Sequence, residues 1–67
     1  MIVTLNGQPR ELPDDASVGT VVSLLGSAGG RGVAVALDGE VVPRGAWSRT
    51  PVREGDQVEV VAAIQGG

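Results

Sequence analysis

The first third of the chain has the alternation of apolar and polar positions that is typical of a β-hairpin. Residues 1–5 are rich in apolar and β-branched side chains, which favour a strand. Asn6-Gly7 follows, and this dipeptide favours a type I′ turn because both central positions of that turn need a positive φ. Residues 8–12 are the predicted return strand. Pro9 has no amide proton to donate, which favours an edge position for this strand.

The next segment has the spacing of a short amphipathic helix. Ser17 can cap its first turn by accepting a hydrogen bond from a free amide, and Gly26 is a natural stop. The apolar positions fall at i, i+3, i+4 and i+7, and they are Val18, Val21, Val22 and Leu25. A helix this short is not stable alone, so we expect all four side chains to pack against a sheet. A glycine-rich loop, residues 27–32, comes next.

Three more strands are indicated in the second half of the chain. Residues 33–37 and 40–42 flank Asp38-Gly39, a second dipeptide of the type I′ class. Residues 57–63 form the last predicted strand, with Val58, Val60 and Ala62 on one face. The sequence therefore predicts a second strand pair and a single closing strand.

This order of elements predicts an α+β domain with the β-grasp (ubiquitin-like) fold. One helix between two strand pairs favours a mixed sheet of four to five strands with the helix packed across it. The first and last strands then lie side by side and parallel in the centre. Residues 45–51, around Trp47, are predicted to be irregular. Residues 1–67 form one domain in this interpretation, and residues 64–67 are its flexible C-terminal tail.

Composition limits the function classes that remain. The chain has no Cys and no His, which excludes disulfides and leaves the usual zinc ligands missing. Eight acidic and five basic residues give a net charge of −3. This charge predicts a partner with a basic protein surface and argues against a nucleic-acid partner. No signal peptide and no membrane-spanning run is recognisable, which predicts a cytoplasmic protein.

Few side chains are available for chemistry inside the domain. There is no His, Cys, Lys or Tyr to act as a base or nucleophile. The glycine-rich loop lacks the ending of a phosphate-binding loop. Gly66-Gly67 remains, because glycines can enter a narrow cleft and present a carboxylate to another protein's active site. A carboxylate reacts as an acyl donor only after activation, for instance with AMP, and a separate enzyme must supply that step.

The chain resembles the ThiS family, the ubiquitin-like sulfur carriers of thiamine biosynthesis, over its whole length. The residues that carry the resemblance are Asn6-Gly7, Val41-Val42-Pro43-Arg44 with Trp47, Gly55-Asp56 and terminal Gly66-Gly67. The Val-Pro-Arg-x-x-Trp segment together with the Gly-Gly end is the more specific part. Gly-Asp before a strand is common in β-rich domains and adds little.

Membership of this family implies a mechanism centred on Gly67. A ThiF-like adenylating enzyme would activate its carboxylate with ATP. A relay from a cysteine desulfurase-type donor would convert it to a thiocarboxylate, and thiazole synthase would take the sulfur to build the thiazole ring. Gly66 would give access to the partner's cleft. The chain itself would bind no cofactor or metal and would be a protein co-substrate, not an enzyme.

Partner contacts are a separate prediction. The candidates are Ile64, Gln65, Arg44 and Trp47. For Trp47 a structural role is the alternative, in which the indole covers the edge of the sheet and Pro43 ends a strand. Aromatic and Arg side chains are enriched at interface hot spots, which supports the docking interpretation.

Three other functions remain open from the residues. The chain could be the small subunit of molybdopterin synthase, which shares the fold and the Gly-Gly end, or a ubiquitin-like modifier of other proteins. It could also be a regulatory or ligand-binding β-grasp domain. In that last case deletion of Gly66 and Gly67 would leave the function intact.

Overall fold

The computed structural model describes residues 1–26 and 32–62. The elements in chain order are β1 (Ile2–Leu5), β2 (Gln8–Glu11), α1 (Val18–Leu24), β3 (Val33–Leu37), β4 (Glu40–Val42), a 3₁₀ helix (Arg44–Arg49) and β5 (Gln57–Ala62). No helix within the described ranges is long and apolar enough to cross a membrane. The predictions for the loop at 27–31, for strand residue 63 and for the tail at 64–67 fall outside the described residues.

The strands form one mixed sheet in the order β2-β1-β5-β3-β4. β1 and β5 are parallel neighbours in its interior, with Leu5 opposite Val58, and the other neighbouring strands are antiparallel. This arrangement confirms the predicted α+β β-grasp fold. β2 is an edge strand, as Pro9 indicates, because an edge strand has one side that needs no ladder hydrogen bonds.

Both predicted hairpin turns are present. The backbone φ angle is 51° at Asn6 and 82° at Gly7, and it is 50° at Asp38 and 87° at Gly39. Positive values at both central positions define the primed turns that match the twist of antiparallel strands. Asn and Asp are among the few residues other than Gly that adopt this conformation routinely.

α1 begins where the sequence predicts. The Ser17 hydroxyl accepts a hydrogen bond from the Thr20 amide at 3.2 Å, and the Thr20 hydroxyl accepts one from the Ser17 amide at 3.1 Å. This reciprocal capping satisfies two backbone donors that the helix start would otherwise leave open. The backbone of Val18 also donates to the Thr50 carbonyl at 2.9 Å, which ties the helix start to the segment before β5.

The end of α1 corrects one prediction. Val18, Val21 and Val22 are buried, but Leu25 is 38 % exposed, so its placement on the buried helix face is wrong. The helix ends at Leu24, and Leu25 is its C-cap. Gly26 then turns the chain with a φ of 76°. Leu25 is seven residues after Val18 but lies beyond the last helical residue. Helical spacing therefore does not place its side chain on the buried face.

The segment around Trp47 is ordered where the sequence predicts irregular structure. Arg44–Arg49 form a 3₁₀ helix that starts after Pro43. Trp47 is buried, and its indole Nε1 donates a hydrogen bond to the Val42 carbonyl at 2.9 Å. This local bond between residues five apart fixes the helix against the end of β4, and periodicity over six residues is too short to show it.

One face of the sheet, here called the inner face, lies against α1 and the 3₁₀ helix. The core cluster is formed by Val3, Leu5, Leu12, Ala16, Val18, Val21, Val22, Val35, Val42, Trp47, Val52 and Val58. Most of these side chains are valines, whose branched shape suits both strands and close packing. The opposite face, here called the outer face, is not covered by any described element.

Candidate functional site: the central strand and the outer face

The predicted site residues of the C-terminus follow β5 directly in the sequence. Ile64, Gln65, Gly66 and Gly67 lie outside the described residues. β5 itself is the third of five strands and is paired on both sides, in parallel with β1 and antiparallel with β3. The C-terminal residues therefore follow an interior strand of the sheet in the sequence.

The structure separates the other two predicted contact residues. Arg44 is exposed at the start of the 3₁₀ helix. Trp47 is only 7 % exposed, belongs to the core, and uses its single polar group for the bond to Val42. This position agrees with the structural role for Trp47, in which the ring supports the sheet. Docking through either residue stays a prediction.

The side chains of the two hairpin turns hold β5. The backbone amide of Asn6 donates to the Val58 carbonyl at 2.9 Å. The side-chain carboxamide of Asn6 bonds to the backbone amide and the backbone carbonyl of Val60. On the other edge, the Asp38 amide donates to the Gln57 carbonyl at 2.7 Å, and Asp38 Oδ1 accepts from the Gln57 amide at 2.8 Å. The same turn chemistry therefore fastens one strand at its start and in its middle.

An exposed apolar area lies on the outer face, over β4, β3 and β5. We call it the outer patch, and its residues are Ala34, Ala36, Val41, Glu59 and Val61. Val41 is 76 % and Val61 is 65 % exposed. The two alanines of β3 lie between these valines, because Ala36 is opposite Val41 and Ala34 is opposite Val61. Small side chains flanked by larger ones leave a shallow depression.

The outer patch contains functional candidates that the sequence reasoning does not identify. A signal for them exists in two pairs of consecutive valines, Val41-Val42 and Val60-Val61. Successive side chains of a strand point to opposite faces, so one valine of each pair has to face away from the core. Val42 faces inward and Val41 outward, as this rule requires.

The described part of the chain has neither a candidate metal-binding cluster nor a buried polar side chain. It contains no group of three or more His, Cys, Asp or Glu side chains that could hold a metal ion. No polar or charged side chain in it is buried. What the arrangement can do chemically is to present an apolar surface and a firmly held strand that leads to the C-terminus.

A mixed five-stranded sheet with a helix across one face defines this chain as a ubiquitin-like β-grasp domain. The chain matches the ThiS family over residues 3–67 and belongs to that family. The match extends to the last two glycines, and the predicted family assignment is confirmed.

Two solved structures of a thiamine biosynthesis protein (ThiS) from Geobacter metallireducens are similar to the chain. Both are 36% identical in sequence. The crystal structure superposes with a TM-score of 0.82 and 100% coverage of both chains. The solution structure gives 0.84, with 100% of this chain and 88% of that one covered. The predicted link to thiamine biosynthesis agrees with these relatives.

A third relative is a much larger protein. The chain is 41% identical over 69 residues to a protein named thiazole synthase from Paramagnetospirillum magneticum (strain ATCC 700264 / AMB-1). The match covers 100% of this chain and spans only 20% of the length of that relative. The similarity therefore concerns one segment of the larger protein.

Proposed function

We propose that the chain is a sulfur carrier for thiazole formation in thiamine biosynthesis, and that the carboxylate of Gly67 carries the sulfur. The observation that carries the proposal is the position of β5. This strand is paired on both sides, and the residues that follow it end in Gly66-Gly67. The family match through residue 67 supports the same end of the molecule.

In the proposed reaction the chain supplies only the acyl group. The Gly67 carboxylate attacks the α-phosphate of ATP on a ThiF-like enzyme, which forms an acyl adenylate and releases pyrophosphate. A sulfur nucleophile from a cysteine desulfurase-type relay then displaces AMP, whose phosphate is a far better leaving group than oxide. Because this nucleophile is a persulfide, the first product is an acyl disulfide. A thiol then reduces its S–S bond and is itself oxidised to a disulfide, which releases a thiocarboxylate in which one oxygen has been replaced by sulfur. Thiazole synthase takes this sulfur, and the carboxylate is regenerated.

The composition of the chain limits where sulfur can be held. With no Cys anywhere in the sequence, a persulfide cannot form on the domain. Sulfur then has to be held at an activated carboxylate, and we assign it to the terminal one because Gly66-Gly67 can enter a narrow cleft of the partner. A protein named thiazole synthase contains a segment similar to the whole chain, which supports thiazole synthase as a partner.

We assign docking of the adenylating enzyme to the outer patch. The patch is apolar, exposed and formed partly by β5, so a partner seated there lies on the strand that leads to Gly67. Glu59 stands opposite Ala36 within it, and the chain carries a net charge of −3. A matching partner surface is therefore apolar with a basic residue facing Glu59, an arrangement that favours both affinity and orientation.

Intact-protein mass spectrometry tests the proposal. The chain is incubated with a ThiF-like enzyme, ATP and a sulfur donor, and we expect a mass gain equal to exchange of one oxygen for sulfur. Fragmentation should place this gain on Gly67. The matched control lacks Gly67 and should remain unmodified while keeping its fold, as judged by circular dichroism. Modification of the shortened chain, or an unmodified full chain, would contradict the carrier function.

A further inference from the structure

The parallel pairing of β1 with β5 continues one step beyond the end of β1. β1 ends at Leu5, opposite Val58, and the chain turns away at Asn6. The Asn6 amide still donates to the Val58 carbonyl at 2.9 Å. In a regular ladder the next backbone groups of β1 would pair with Val60, but the type I′ turn carries them away from β5.

The Asn6 side chain takes the place of those missing backbone groups. Its Oδ1 accepts a hydrogen bond from the Val60 amide at 2.8 Å, and its Nδ2 donates to the Val60 carbonyl at 3.3 Å. A carboxamide carries the same donor and acceptor as a peptide group, so one side chain replaces both partners. The left-handed backbone of Asn6, with φ of 51°, places the carboxamide beside β5.

The bonded position lies on the strand that precedes the proposed sulfur-bearing residue in the sequence. Val60 lies seven residues before Gly67. If this contact is lost, the last hydrogen bond from the β1 side of β5 moves back to Val58, and two more residues, about 7 Å of extended chain, lose their support on that edge. β3 still pairs with Val61 and Ala62 on the other edge. The strand then stays in the sheet but is held from one side.

We infer that Asn6 is a positioning residue that, through its contact with Val60, holds β5 in the arrangement that the adenylating enzyme binds. The inference rests on the proposed function of Gly67. Asn6 touches neither the carboxylate nor ATP in this role, and it acts through Val60. By holding the β1-side edge of β5, it raises the fraction of molecules in the binding-competent arrangement, and apparent affinity scales with that fraction.

Asp38 provides a matched control within the same molecule. It occupies the equivalent turn position, has a φ of 50°, and bonds through Oδ1 to Gln57, at the start of β5. Asn6→Gly and Asp38→Gly both keep a turn that accepts glycine and both remove a side-chain bond to β5. Only Asn6→Gly removes it in the C-terminal half of the strand.

The test combines steady-state adenylation with hydrogen exchange on the full chain. For Asn6→Gly we expect the KM for the carrier to rise about fivefold with kcat unchanged, because a seated carboxylate reacts normally. Exchange of the Val60 amide should accelerate about tenfold. Asn6→Asp keeps the acceptor for the Val60 amide and loses the donor to the Val60 carbonyl. Its KM should therefore lie between those of the wild type and Asn6→Gly. Asp38→Gly, assayed at about 0.15 M salt to screen its charge change, should keep the wild-type KM.

The outcomes separate this inference from the proposed function. An unchanged KM for Asn6→Gly, or an equal rise for Asp38→Gly, would overturn the positioning role. Unchanged Val60 exchange in Asn6→Gly would overturn the contact itself. A wild-type chain that is never adenylated would overturn the proposed function and with it the role of Asn6 in loading, whatever the exchange result.

Discussion

The two faces of the sheet carry similar side chains in different surroundings. On the inner face Val58 is 0% exposed under α1 and the 3₁₀ helix, whereas on the outer face Val61 of the same strand is 65% exposed. Burial of a valine contributes about 1.5–3 kcal/mol, so the inner face supplies most of the folding free energy. In the proposed function the exposed apolar area of the outer face is where the adenylating enzyme docks. The contrast assigns stability to the inner face, and we propose recognition for the outer one.

The largest expected effect concerns Trp47, the largest side chain of the inner core. Trp47→Ala should lower the free energy of unfolding by about 3–5 kcal/mol, since it removes a buried ring and its bond to the Val42 carbonyl. Trp47→Phe, which keeps most of the apolar volume and loses the donor, should cost about 1–3 kcal/mol. Urea unfolding followed by circular dichroism measures both. Equal, small losses for the two variants would show that this residue is not part of the core.

The second prediction compares the two faces within one strand. Val58→Ala should lower the free energy of unfolding by about 2–3 kcal/mol, because it removes two buried methyl groups. Val61→Ala should change it by less than about 1 kcal/mol, since the side chain is exposed and only strand propensity is affected. The binding of the adenylating enzyme, measured by calorimetry, should weaken for Val61→Ala.

A control substitution on the outer face completes this pair. Thr4 also faces outward on β1 but lies outside the outer patch, so Thr4→Ala should leave binding unchanged. Binding that is insensitive to Val61→Ala would remove the outer patch from the docking surface. Equal stability losses for the two valine variants would instead remove the distinction between the faces.

The elements of the fold that depend on local chemistry could be predicted from the sequence. Asn6-Gly7 and Asp38-Gly39 define their turns through the backbone they require, and Ser17 marks the start of α1. The exposure of Leu25 could not be predicted in this way, because the end of a helix depends on where the chain must turn and not on spacing alone. The 3₁₀ helix depends on the local hydrogen bond from the Trp47 indole to the Val42 carbonyl, and periodicity over six residues is too short to show it.

In the candidate site, too, some features could be predicted from the sequence and others depend on how the strands pair. The glycines at 66 and 67 are recognisable from the sequence because their chemistry is that of the chain terminus. The outer patch needs the strand pairing, since Val41 and Val61 become neighbours of one depression only across β3. The carboxamide contact of Asn6 with Val60 joins residues 54 positions apart and follows from the parallel pairing of the first and last strands.

The smallest expected effect concerns the helix that covers the inner face. Gly19 lies within α1, and a methyl group added there would meet the Ser17 hydroxyl oxygen and the Ser48 backbone at 3.5 Å, an ordinary contact distance. Because alanine favours the helix over glycine, Gly19→Ala should raise the free energy of unfolding by about 0.5–1 kcal/mol. Urea unfolding at constant m-value measures this gain.

The same substitution at the end of α1 should have the opposite sign. Gly26 has a φ of 76°, so Gly26→Ala forces a side chain into the left-handed region and should cost about 1 kcal/mol although no atom obstructs it. Binding of the adenylating enzyme should be the same for Gly19→Ala as for the wild type, because the added methyl group lies on the side of the helix that meets the 3₁₀ helix. A stability gain at Gly19 accompanied by weaker binding would mean that the two faces of the sheet are coupled. If Gly19→Ala instead lowers the free energy of unfolding, the added methyl group must lie closer to the Ser48 backbone than the ordinary contact distance of 3.5 Å.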